Sequence, residues 1–323
     1  MTGPIRVGVL GCADIAWRRT LPAINAVDGV ALVAVASRAA ERAKAFATRF
    51  DCAAVTGYDA LLNRDDIDAV YVPLPAMLHA GWVERALAAG KHVLAEKPLS
   101  GDHATTVRLL ELARSTGRVL VENFMFPHHG QQARIRELLG SVGPLRCFSS
   151  AFTIPPRPAD DIRYQQALGG GALLDVGVYP LRAALHFFGT ELDVTGAVLR
   201  VDRARGVVLG GTVLLHTSAG VAVQVAFGME QVYRAHYEFV GTDGTLSVER
   251  VFTPPADYRP TVVITGDGRR EELSLAADDQ VANTIRWFAD AVAGAPVDPC
   301  HAETVHLARL VGQIEERATT FVD

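Results

Sequence analysis

The sequence predicts an α/β protein of two unlike domains: an N-terminal doubly wound parallel sheet, then an α+β domain on an open-faced, mainly antiparallel sheet. Three observations lead there. The chain has 323 residues, more than one ordinary core takes and about right for two domains. From Ile5 to about Val121, short β-branched runs alternate with longer segments rich in Ala, Leu and Arg, the rhythm of βαβ units. After about residue 145 apolar runs follow one another through Gly and Asp turns, the rhythm of consecutive antiparallel strands.

The first-domain strands are expected at "IRVGVLG", "ALVAVAS", "IDAVYVPLP", "HVLAEKP" and "RVLVEN". Between them lie the helical segments "IAWRRTLPAINAV", "AAERAKAFATRF", "HAGWVERALAAG" and "HATTVRLLELARSTG". Parallel strands joined in this way are buried on both faces and need helices on each. In the second domain the strands are expected at "VTGAVLRVD", "VVLGGTVLLHT", "GVAVQVAFGM", "HYEFVGTDGTLSVER" and "TVVITGDG", with "GTDGT" and "TGDGR" as hairpin turns. A helix "QQARIRELLG" precedes this sheet, and helices over Asp279 to Ala293 and Ala302 to Ala318 follow it.

Composition narrows the function. Hydrophobic residues make up 49% and charged residues 21%, too apolar for disorder. The formal charge of −5 arises from 31 Lys plus Arg against 36 Asp plus Glu without basic runs, which argues against nucleic acid as a partner. The N-terminus lacks a signal pattern, and no uncharged run reaches about 18 residues, so a cytoplasmic protein with no membrane partner is expected. Cys12, Cys52, Cys147 and Cys300 are far apart in sequence; no C-x-x-C and no histidine cluster at ligand spacing occurs, so they are expected to be reduced and no metal is expected.

The loop "GVLGCADIAWRR" follows the first strand and opens a helix, the context in which a glycine fingerprint binds a dinucleotide. Here Gly stands only at the first position of Gly11-Cys12-Ala13-Asp14-Ile15-Ala16, with Ala13 and Ala16 as the smallest substitutes for the other two glycines. A pyrophosphate on the free N–H groups of that helix start is expected; an Ala-rich turn with no ligand is the alternative. At the end of the second strand an NAD site would place an acid, whereas this chain has Ser37 and Arg38, a hydroxyl and a guanidinium suited to a 2′-phosphate. The expected cofactor is therefore NADP(H), unless Ser37 merely caps the next helix.

Two further stretches stand out: Glu96-Lys97-Pro98 at the end of the strand after "GKHV", and "GGGALLDVGVYP" from Gly169 to Pro180. In this order, over essentially the full length, the chain resembles the glucose-fructose oxidoreductase/inositol dehydrogenase (Gfo/Idh/MocA) family. The resemblance implies a dinucleotide-binding Rossmann domain at 1–123 and a substrate-binding and oligomerisation domain at 124–323. It implies that Lys97 lies beside the nicotinamide and the substrate carbonyl, that Tyr179 supplies an acid or base, and that Glu96 orients Lys97 or the ribose. Pro75 and His79, in "PLPAMLH", occupy the family's turn after the nucleotide-side strand and are expected at the cofactor; an exposed helix-capping histidine is the alternative. Asp175 and Tyr179, four apart on one helix, are expected on one face, and Arg163 stands where the family often has Trp-Arg.

Within the family, "VENFMFPHH", "FTIPPRPADDIRYQ", "VQVAFGMEQVYR" and "RVFTPPADYRP" are similar to NADPH-dependent 3-ketoreductases of dTDP-linked 3,4-diketo-2,6-dideoxyhexoses in antibiotic biosynthesis. This resemblance implies hydride transfer from NADPH, a proton from Tyr179 and oxyanion stabilisation by Lys97. Arg157 and Arg163 are then expected at the diphosphate, with Phe126, Tyr164 or Tyr233 stacked on the thymine and Asp175 and Tyr179 at the sugar. A homodimer or homotetramer through the open sheet face is expected by fold analogy. Two other readings stay open: a family dehydrogenase of a free sugar, inositol or trans-dihydrodiol, and a non-catalytic NADP-binding regulator.

Overall fold

Six parallel strands form the first sheet in the computed structural model, which describes residues 3–323. They are β1 (Ile5–Leu10), β2 (Val30–Ser37), β3 (Ala53–Thr56), β4 (Ala69–Val72), β5 (His92–Glu96) and β6 (Leu120–Asn123), in the order β3-β2-β1-β4-β5-β6. The order reverses direction at β1, so β1 and β4 flank the switch point where open α/β sheets place ligands beyond the strands' carboxyl ends. β4 is buried along its whole length, as a strand covered on both faces must be.

The connecting helices are α1 (Leu21–Ala26), which continues a π-turn over Ala16–Thr20, α2 (Ala40–Phe50), α3 (Tyr58–Leu62), α4 (Ala76–Ala88) and α5 (His103–Thr116). α5 shows the local logic well. The Asp102 carboxylate accepts from Thr105 N at its start, at 2.8 Å, and Gly117 ends it in the left-handed region at φ 64°.

The second sheet has nine strands: β7 (Leu145–Thr153), β8 (Leu192–Asp202), β9 (Val207–Thr217), β10 (Ala222–Gly228), β11 (Arg234–Gly241), β12 (Thr245–Glu249), β13 (Thr261–Gly266), β14 (Arg269–Ser274) and β15 (Ala318–Val322). Their order is β14-β13-β12-β11-β7-β10-β9-β8-β15. Pairing is antiparallel except for β10 with β7 and β15 with β8. The β13–β14 turn carries Asp267 at φ 51° and Gly268 at φ 74°, the pair of left-handed residues that a tight hairpin of right-twisted strands demands.

Helices α6 (Gln131–Leu138) and α7 (Val178–Phe188) belong with this sheet. Its inner face carries Phe148, Phe227, Tyr237 and Phe239, all fully buried. Phe187 and Phe188 of α7 meet them, with ring centroids 4.9 Å apart for Phe187 and Phe239 and 5.5 Å for Phe148 and Phe188. On the outer face Val198, Leu214 and Phe321 stay exposed.

The chain forms two compact units. The first ends at Phe124 and takes back Val281–Thr304; the second comprises Met125–Gln280 and Val305–Asp323. A single cut at 123/124 thus misses one return crossing: α8 (Gln280–Val292) and the start of α9 (Asp298–Arg317) join the first unit. The bonds responsible are Thr304 Oγ1 donating to Glu122 Oε2 at 2.8 Å and His301 Nε2 meeting the Leu120 carbonyl at 2.8 Å. Among the described residues no helix is long and apolar enough to cross a membrane.

Candidate active site

In the first unit the cofactor-side residues gather at the carboxyl ends of β1, β2, β4 and β5. Gly11 follows β1 with φ 124°, and a Cβ there would stand 2.7 Å from Leu74 Cδ2, so both conformation and space require glycine. Cys12 is buried with its thiol on the Ala36 carbonyl, and burial pushes that thiol up to about 11. It is a wall of the loop, not a nucleophile. Ala13, exposed Asp14 and Ile15 lead into the helix, where Asp14 pairs with Arg18 one turn on.

At the end of β2, Ser37 is buried; its Oγ accepts from Ala39 N at 3.2 Å and its hydroxyl also meets the Cys12 thiol. Arg38 is exposed and acts on the Tyr58 hydroxyl, whose pKa burial raises. The sequence reading missed Arg42. It lies four residues after Arg38, one turn into the helix start, and acts electrostatically on both Tyr58 and Cys12. Two guanidiniums therefore stand where an NAD site would carry an acid.

Glu96 ends β5, and its Oε1 accepts from the Tyr71 hydroxyl and from Asn123 Nδ2, each at 2.7 Å. Thr20 Oγ1 in turn donates to the Tyr71 hydroxyl at 3.0 Å. Burial pushes the Glu96 carboxyl above its ordinary range against the pull of these donors and of Lys97. Glu96 is thus tied to the sheet, which places the backbone of Lys97 next to it. On the other side of the cis Lys97-Pro98 bond, Leu99 N donates to Glu122 Oε1 at 2.9 Å. The residues flanking Lys97 are thus pinned from β4 and β6, and Thr304 of α9 braces Glu122 in turn. None of Thr20, Tyr71, Glu122 or Asn123 has a motif of its own, and the sequence reading passed over all four.

Pro75 precedes α4 with an extended ψ of 144°. His79 departs from both expectations: it is fully buried, and both ring nitrogens face backbone carbonyls. It is neither an exposed cap nor a group presented to a ligand.

In the second unit the glycine run folds over the turn at Ile162–Tyr164. Gly171 N donates to the Arg163 carbonyl at 2.9 Å and Gly170 N to the Gln165 carbonyl at 3.0 Å. A Cβ on Gly170 would lie within 2.8 Å of three carbonyl oxygens, hence the glycine. This brings Arg163 Nε to 2.6 Å from Asp175 Oδ2 and Arg163 Nη1 to 3.1 Å from Asp161 Oδ1. Two carboxylates already pair that guanidinium, so Arg163 holds Asp175 in place, which disfavours the diphosphate role expected of it from sequence. Arg157 is exposed, and its backbone N–H lies 3.3 Å from the Tyr164 hydroxyl.

Two of the three expected stacking platforms are buried. Phe126 is fully enclosed, with ring centroids 6.3 Å from Tyr179 and 5.4 Å from Phe252. Tyr164 has Arg205 over its ring at 4.3 Å and donates to Glu230 Oε1 at 2.9 Å. Both rings are packing groups. Tyr233 remains, 42% exposed, with Arg250 over one face at 6.0 Å. Tyr179 lies at the start of α7, directly after a π-turn over Leu173–Gly177. Its ring is held by Phe152 at 5.1 Å, edge to face, and by Phe252 at 5.5 Å, so the phenol is carried on a rigid aromatic bed.

Residues 5–124 match the GFO_IDH_MocA profile, described as "Oxidoreductase family, NAD-binding Rossmann fold", and residues 132–247 match the GFO/IDH/MocA C-terminal domain. The chain belongs to the GFO/IDH/MocA oxidoreductase family. It is 56% identical over 291 residues to a dTDP-3,4-didehydro-2,6-dideoxy-alpha-D-glucose 3-reductase of Actinomadura kijaniata, covering 90% of this chain and 88% of that one. A protein of the same description from Streptomyces antibioticus is 52% identical over 314 residues, 96% of each chain. A crystal structure of a 3-ketoreductase from Actinomadura kijaniata with NADP and TDP-benzene superposes with a TM-score of 0.97 at 52% identity, covering 99% of this chain and all of that one. That relative has also been solved as a Tyr-to-Phe and a Lys-to-Ala variant, each with both ligands.

Proposed function

We propose that this protein reduces the C-3 keto group of a dTDP-linked 3,4-diketo-2,6-dideoxyhexose with NADPH, with Lys97 and Tyr179 as the catalytic residues. The observation that carries the proposal is the likeness to a 3-reductase of that description over 96% of both chains, joined to a lysine whose flanking residues are held by side chains of β4 and β6. The residues of the first unit fit NADP: Gly11 opens the loop, the helix start beyond it offers free N–H groups, and Ser37, Arg38 and Arg42 suit a 2′-phosphate.

NADPH, when bound, supplies the hydride to the carbonyl carbon. The Tyr179 hydroxyl gives its proton to the oxygen as that oxygen gains charge; a phenol of pKa about 10 is a weak free acid but a competent donor to an alkoxide. The Lys97 ammonium stabilises the same developing charge. Ketone, NADPH and a proton thus become alcohol and NADP+, with the tyrosine recovering its proton from solvent. Arg157 is the remaining cation for the diphosphate and Tyr233 the remaining ring for the thymine. The exposed Val198, Leu214 and Phe321 make the outer sheet face the surface through which copies associate.

Titration calorimetry with dTDP tests the substrate class. Binding that weakens as salt is added is expected, with loss on replacing Arg157 by Ala. No binding of dTDP, alongside turnover of an unactivated sugar or diol, would move the protein to a free-sugar dehydrogenase.

A further inference from the structure

His79 stands one turn into α4, and its contacts pose a problem of proton count. Nδ1 lies 2.7 Å from the Pro98 carbonyl oxygen and Nε2 lies 2.6 Å from the Leu74 carbonyl oxygen. Carbonyl oxygens accept and never donate, whereas a neutral imidazole has one N–H and one bare nitrogen. A neutral ring would satisfy one contact and set lone pair against lone pair at the other. Neither oxygen can easily retreat. Leu74 lies two residues past the buried end of β4, after buried Pro73, and Pro98 sits between Glu96, held by Tyr71 and Asn123, and Leu99, held by Glu122.

We infer that His79 donates through both ring nitrogens, as an imidazolium, and so clasps the turn after Lys97 to the end of β4, making His79 a positioning residue for that lysine. The catalytic half of this rests on the proposed role of Lys97; the protonation half does not. Burial pushes the ring's pKa down and the Lys97 ammonium adds to that, while the two carbonyls push it up. Among the charged groups of the elements around it, Glu96 lies on the same turn as Lys97 and Glu122 is bonded to Leu99 and Thr304. Glu84, farther along α4, pairs with Arg108 of α5. The carbonyl geometry decides, because two fixed acceptors within the distance of charge-assisted bonds give a bare nitrogen nowhere to turn. The clasp is complete on the acid side of the ring's titration and loses one arm as pH rises through it.

The test begins with the unmodified protein. A ¹⁵N histidine spectrum of the full chain with NADP+ bound should show, at neutral pH, one buried ring with protons on both nitrogens. A bare nitrogen on that ring at neutral pH overturns the inference, whatever the activity. His79→Gln keeps one donor and should lower kcat about 10- to 100-fold, the scale of a small misplacement of a reacting group, with the Kd for NADPH unchanged. In a Lys97→Ala background the same substitution should cost nothing further. Equal losses in the two backgrounds would show that His79 acts apart from Lys97 and sink the positioning role. Unchanged kcat in Lys97→Ala alone would instead defeat the proposed role of Lys97, with the spectrum still deciding the protonation of His79.

Discussion

Strand β5 carries a lysine at each end, and the two ends do opposite things. Lys91, just before the strand, is buried, and its ammonium donates to the Arg64 carbonyl at 2.7 Å and the Ile67 carbonyl at 2.8 Å. Beside it Arg6 forms a two-pronged pair with Asp68, and His92 Nδ1 accepts from Val119 N. At this edge side chains satisfy the backbone of loops. At the carboxyl edge, Tyr71 of β4 and Asn123 of β6 hold the Glu96 carboxylate, and Glu122 of β6, itself bonded by Thr304 of α9, holds the Leu99 N–H, so that the residues on both sides of Lys97 are tied down. One edge uses its lysine as a bolt; the other bolts down the residues that flank its lysine.

The largest expected effects test the carboxyl edge. Lys97→Ala and Tyr179→Phe should each lower kcat by about 10²–10⁴-fold with NADPH binding and melting temperature near those of the parent, measured by steady-state kinetics, cofactor titration and thermal melts. Near-parental kcat in Tyr179→Phe would mean that another group gives the proton. Next comes the opposite edge. Lys91→Met strands the buried Ile67 carbonyl and the part-buried Arg64 carbonyl and should cost about 1–3 kcal/mol in urea denaturation, with kcat of the folded enzyme intact. A kcat loss comparable to that of Lys97→Ala would break the comparison.

Arg38→Ala should raise the KM for NADPH about tenfold, the scale of one charge-assisted hydrogen bond, and leave that for NADH nearly unchanged; equal losses would remove the 2′-phosphate assignment. The smallest effect belongs to Asp68. Hydrogen bonds from Arg6 hold its carboxyl below the ordinary range, so the stability it contributes is present above the unfolded carboxylate's pKa and is lost as pH falls through the folded one. Asp68→Asn should be less stable than the parent by about 1 kcal/mol or less at neutral pH. Thermal melts of the two should converge in acid.

Several features of this chain were legible because they are local. The hairpin at "TGDGR" follows from residues that accept φ > 0, and the structure has Asp267 and Gly268 there. The alternation of β-branched and Ala-rich segments marked five of the six parallel strands, and β3 (Ala53–Thr56), which lies in none of the runs read as strands, was missed. The closing strand β15 was not legible: "ATTFV" carries little pattern, and its strand character comes from pairing with β8. The aromatic and cationic residues expected at the substrate divided in the same way. Phe126, Tyr164 and Arg163 read in sequence like Tyr233 and Arg157, but Phe252, Arg205 and the carboxylates Asp161 and Asp175 meet them only in the fold.

The sequence by itself determined the two-domain order of α/β units and then antiparallel strands, the glycine loop with Ser37-Arg38 beyond it, and the chemical types of Lys97 and Tyr179. Such information resides in neighbours a few residues apart, whose periodicity and turn chemistry need no partner from elsewhere. Only the tertiary structure decided that Glu96 is gripped by Tyr71 and Asn123, that Glu122 reaches both Leu99 and Thr304, 182 residues further along the chain, and that His79 faces two carbonyls. A polar side chain's role depends on the donors and acceptors around it once water is excluded. Those are set by packing between segments remote in sequence, which no local pattern encodes.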